Sequence, residues 1–127
     1  MKVRITSLLL LFALCLVSCA SSLGTEIGHT LDSIDVSEYS AASIMVPSYD
    51  APSRYTERFP DEYARLAAYG AEGVSYILDY AERSDLHYLN AMFFVCCAYG
   101  ILGIDEWLDI DRHRPAEHAR ALRAYLP

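Results

Sequence analysis

The chain has 127 residues, with 17 acidic and 10 basic side chains and a formal charge of −7. That length allows one domain. The acidic balance repels phosphate backbones and argues against a nucleic-acid partner and against docking on anionic lipid through a basic patch.

The amino terminus opens with MKVR, a short positive stretch, followed by the apolar run Ile5 to Val17, interrupted only by Thr6 and Ser7. Thirteen residues fall short of the roughly 20 that span a bilayer as a helix. A basic start, a short apolar centre and small residues after it are the pattern of an export signal. The run closes on Leu16 and Val17, and Ser18 and Cys19 follow.

On these residues the sequence resembles bacterial lipoproteins. Leu stands at −3, Val at −2, a small Ser at −1 and Cys at +1 of a lipobox. The resemblance implies cleavage between Ser18 and Cys19, a diacylglyceryl group on the Cys19 thiol, and a lipid-anchored address in the bacterial cell envelope. The membrane would then be a partner through covalent lipid on Cys19. It also makes 1–18 a discarded signal peptide. Cys15 is a poorer match, with Phe12 at −3 and the bulky Leu14 at −1. A chain beginning at Cys19 keeps eight basic and 17 acidic side chains, a formal charge of −9, and contains no lysine. Because Ala20 follows the Cys, a double-membraned host could pass the protein to its outer membrane.

Residues 19–59 are rich in Ser, Thr, Gly and Pro, as in SSLGT, SEYSAAS and VPSYDAPSRYT. This composition predicts a flexible tether between lipid and domain. One patch breaks the pattern. Ile27, Leu31 and Ile34 are spaced i, i+4, i+7 and fit one side of a short helix. SIMVP (43–47) fits a short extended segment ended by Pro47.

The folded domain is expected over 60–127 as an all-α bundle of three to four short antiparallel helices. Pro60 suits a first helical position, and Asp61 and Glu62 complement the positive end of the helix dipole. Tyr63, Leu66 and Ala67 share a face, and Gly70 suits a C-terminal cap. In 71–83, Val74, Ile77, Leu78 and Ala81 form an apolar stripe. Residues 84–103 are the most apolar of the part beyond Cys19. Nothing from Ala91 to Ile104 is charged, so this helix should be central, with Ser84 or Asp85 capping its start. Residues 114–126 give a last helix, with Pro115 in its first turn, Ala119, Leu122 and Leu126 as its stripe, and Arg120 and Arg123 near its negative end.

The stretch YARLAAYGAEGVSYILDYAERSD resembles one unit of a HEAT-type helical hairpin, over about 60–103. No second copy is present, and a repeat array needs about three units to bury its faces. The expectation is therefore a lone HEAT-like bundle.

Catalytic signatures do not stand out, and neither does a cofactor motif. His113 and His118 are five residues apart and do not share a helical face, so the histidines read as surface residues rather than metal ligands. Asp105, Glu106, Asp109 and Asp111 crowd around Trp107, but the Gly turn and distant Glu of a calcium loop are missing. A solvated acidic turn is the expectation, with a small envelope enzyme using these carboxylates as the remotest alternative. Cys96 and Cys97 are adjacent and diverge on a helix, which predicts buried, unpaired thiols.

Ten tyrosines lie beyond Cys19. Tyr pairs a large apolar ring with a polar tip and is common at binding surfaces. Tyr69, Tyr76, Tyr80 and Trp107 are the candidate contacts for a protein partner. Two functions fit: a non-catalytic, membrane-anchored interaction module, or a protective inhibitor or immunity lipoprotein that neutralises a basic toxin or enzyme.

Overall fold

A computed structural model describes residues 22–37 and 50–127. Leu16 to Cys19, and with them the expected cleavage and lipidation positions Ser18 and Cys19, lie outside the described residues, as does SIMVP.

Among the described residues the fold is all-α. In chain order the helices are α1 (22–33), α2 (Ser53–Arg58), α3 (Pro60–Ala67), α4 (Val74–Ala81), α5 (Tyr88–Leu102) and α6 (Pro115–Leu122). Short 3-10 turns precede α4 at Ala71–Gly73 and follow α6 at Arg123–Tyr125.

The centre is α5. Ala91 to Tyr99 are all buried, so this helix is enclosed on every side, as its unbroken apolar sequence requires. It ends where Gly103 turns left-handed (φ 74°, ψ 26°), and Ile104 N–H donates to the Tyr99 carbonyl at 2.9 Å. That is the Schellman closure, which glycine adopts without a Cβ penalty. Ser84 and Asp85 do not cap the start. The helix begins at Tyr88, so His87 is its cap, with Nδ1 accepting from Leu89 N–H at 3.1 Å, while Asp85 pairs with the Arg83 guanidinium at 2.8 Å.

The most extensive pairing is α4 on α5, and α4 also meets α6. The α4 stripe Val74, Ile77, Leu78 and Ala81 is buried throughout, as its spacing predicts. Pro60 opens α3, and its Leu66 is fully buried. Over the segment that resembles a HEAT hairpin, α3 and α4 each make their larger contact with α5. Where α3 passes α5, a Cβ on Gly100 would sit 2.6 Å from the Tyr63 hydroxyl. No helix among the described residues is long and apolar enough to cross a membrane.

The tether expected over 19–59 is corrected for residues 22–37 and 50–59. Ile27, Leu31, Ile34 and Val36 are at most 4% exposed and belong to the core, as does Phe59, whose ring meets Phe93 edge-on at 5.5 Å. The physical reason is a polar graft as well as an apolar one. Asn90, buried in the first turn of α5, accepts Val36 N–H at 2.8 Å and donates to Asp35 at 3.1 Å. The four helices α3 to α6 over 60–127 match the three or four expected there, and α1 and α2 pack with them as part of the same bundle.

Candidate partner-binding face

Three of the four candidate contacts come together, and what they surround is α1. Tyr69 follows α3, while Tyr76 and Tyr80 lie four apart on α4. Thr30 spends its hydroxyl proton on the Glu26 carbonyl (3.1 Å), so the 2.8 Å contact with Tyr69 has the tyrosine as donor. Tyr76 lies over Gly24, where a Cβ would be 3.0 Å from its ring. Tyr80 donates to Asp32 at 2.6 Å. The Tyr80 ring meets Phe94 edge-on at 5.4 Å and carries the Arg83 guanidinium 4.7 Å above it. Burial, then the bond to Asp32, pushes the Tyr80 hydroxyl up to about 12, so it stays a donor at neutral pH.

Two open grooves flank α1. One, of about 220 Å³, is lined by Gly24, Gly28, Leu31, Tyr76, Tyr80 and Arg83. The other, of about 470 Å³, is lined by Leu23, Glu26, Thr30, Arg65, Ala68 and Tyr69. Gly28 has nothing within 4 Å of where its Cβ would stand. A glycine inside a helix sacrifices stability, and here packing does not demand it; its effect is to leave the first groove open.

Trp107 sits elsewhere, in an aromatic cluster with Tyr55 (6.5 Å), Tyr99 (5.5 Å) and His118 (5.4 Å between centroids). His118 is fully buried, which corrects its reading as a surface histidine. Its Nε2 lies 3.0 Å from the Asp111 carbonyl, which can only accept, so Nε2 carries the proton. Nδ1 is then an acceptor and takes the Tyr99 O–H at 2.7 Å. The Tyr99 oxygen in turn accepts Leu108 N–H at 3.2 Å. This chain of three bonds ties the 103–114 loop to the centre of the bundle with every member satisfied. Burial lowers the His118 pKa, against the opposing pull of the Asp111 carbonyl and the nearby Glu117 and Asp111 charges.

The acidic turn is spread over the surface. Asp105, Glu106, Asp109 and Asp111 are exposed, and Asp111 accepts His113 N–H at 3.0 Å and pairs with Arg114 at 3.7 Å. No group of three or more His, Cys, Asp or Glu that could hold a metal occurs among the described residues. Cys96 and Cys97 are fully buried and unpaired, and burial raises both thiols well above their ordinary value. That keeps them protonated and unreactive at neutral pH.

Three determinants escape a reading of local pattern. Asn90 was a polar residue in an apolar segment, and His118 a lone ring in a short stripe. Arg123 reaches back from the last turn to Glu82 (3.2 Å) and Asp79 (2.5 Å) on α4. Fold and site together define a small all-α bundle whose tyrosines grip its own first helix. No family model, no curated protein and no solved structure matches this chain.

Proposed function

We propose that this protein is a lipid-anchored, non-catalytic component of the bacterial cell envelope whose helical domain binds a protein partner. The observation that carries the reading is the lipobox Leu16–Val17–Ser18–Cys19 at the end of a 13-residue apolar run. The partner surface is the α1 flank, where Tyr69, Tyr76 and Tyr80 border two open grooves. Rigid tyrosine rings at a groove edge suit protein recognition. Trp107 packs with Tyr55, Tyr99 and His118, apart from that flank, and the carboxylates of the acidic turn are exposed.

The −9 charge of the chain beyond Cys19 favours a basic partner. For that reason an inhibitor or immunity role against a basic toxin or enzyme is the second reading. Intact-mass measurement of the protein from its native envelope tests the anchor: acylation is expected on the native chain and absent from Cys19→Ala. Cross-linking in the same envelopes tests the surface. Gly28→Phe fills the open groove and should lose cross-links that the native chain makes; equal recovery with both would refute the assignment of the surface.

A further inference from the structure

Lipoprotein domains gain reach from the chain between lipid and fold, and here that chain is nearly absent. We infer that the lipid on Cys19 holds the folded domain directly against the bilayer, with the amino end of α1 turned toward the headgroups, so that the membrane surface is itself a binding partner and any protein partner is met in the layer next to it. The inference rests on the lipoprotein reading above.

Only Ala20 and Ser21 stand between Cys19 and Ser22, the first described residue of α1. However that link is arranged, three Cα steps span at most about 11 Å. Peeling α1 off the bundle would lengthen it, but α1 is held at several independent points. Ile27 and Leu31 are in the core, Tyr69 and Tyr80 donate to Thr30 and Asp32, and Asn90 holds Val36 N–H beyond its end. The Ser- and Gly-containing stretch that suggested a tether is therefore a structural helix. A domain of about 100 residues has a radius of gyration of about 13 Å and so a diameter of about 34 Å, which with the link puts its far side at most about 45 Å from the headgroups. The first turns of α1 present Ser22, Thr25, Glu26 and His29, all at an open surface and without a basic cluster. Lipid on Cys19, and not attraction to anionic headgroups, would supply the hold.

The test uses the mature lipoprotein in phosphatidylcholine vesicles. Glu26→Cys provides a single labelling site, because Cys96 and Cys97 are buried and Cys19 carries the lipid. Energy transfer from a dye there to headgroup-labelled lipid reads the distance to the membrane. The native spacing places the dye within about 17 Å of the anchor, from the link plus four helical residues. A 20-residue Gly/Ser insertion after Ala20 should add about 25 Å. Equal transfer with and without the insertion, on protein whose mass includes the lipid, overturns the close apposition and leaves the anchor standing. A mass without lipid overturns both.

Discussion

Tyr99→Phe is the most informative single substitution because it removes one oxygen and orphans a buried group and a part-buried one. His118 Nδ1 loses its donor, and Leu108 N–H loses its acceptor. An unsatisfied buried group costs about 1–3 kcal/mol and the part-buried one less, so the variant should lose about 1–4 kcal/mol of unfolding free energy. That is a large fraction of what a domain this size holds. The same geometry fixes a pH dependence. Burial lowers the His118 pKa below its unfolded value near 6.5. Below pH 6.5 the unfolded chain therefore binds the extra proton, and stability falls as pH drops toward the folded pKa. A second proton on Nδ1 also leaves the Tyr99 hydroxyl hydrogen facing a donor. Urea unfolding at pH 7.5 and pH 5, followed by emission of the sole tryptophan, Trp107, reads both effects. The native protein should weaken at pH 5, and His118→Gln should lose most of that difference. An equal acid loss in His118→Gln, or a Tyr99→Phe cost below about 0.5 kcal/mol, would refute the relay as described.

Further outcomes follow from other joints. Asn90→Ala strands the buried Val36 N–H and should cost about 1–3 kcal/mol, with faster hydrogen exchange across residues 22–37 than elsewhere. Gly28→Ala meets open space and should stabilise by about 0.5–1 kcal/mol in thermal melts, whereas Gly100→Ala runs into Tyr63 and should destabilise by about 1–3 kcal/mol, part of which Tyr63→Phe restores. Cys96 and Cys97 should resist a thiol reagent at pH 8 in the folded protein and react fully in guanidinium; rapid native labelling would contradict their burial.

Legibility in the sequence tracks how local the determinant is. Val74, Ile77, Leu78 and Ala81 announce their helix because one residue stripe carries the whole signal. The central position of α5 was legible from its lack of charge, and Pro60 and Pro115 mark the starts of α3 and α6. The α1 segment was legible only in part. Its Ile27 and Leu31 keep the helical period, but Gly24 and Gly28 lower its propensity and its neighbours resemble linker sequence. What makes it structural is a set of partners distant in the chain, such as Val36 with Asn90 and Thr30 with Tyr69. Pairings 54 and 39 residues apart leave no periodic trace. The tyrosines were found by composition, but composition does not say whether a hydroxyl faces a partner or its own chain.

That last distinction changes how the tyrosine face works. A Tyr80 hydroxyl pointed at solvent would be free to meet any acceptor. Here it is committed to Asp32, with Arg83 stacked above the ring and bonded in turn to Asp85. The committed hydroxyls of Tyr69 and Tyr80 tie α1 to the bundle, and the missing side chain of Gly28 leaves the notch open. A partner engaging this flank would therefore touch ring edges and the notch, while the hydroxyls keep the groove walls in place. Tyr80→Phe keeps the ring and loses the strut. It should weaken α1 docking before it weakens any direct contact, which separates the scaffolding role of this tyrosine from a contacting one.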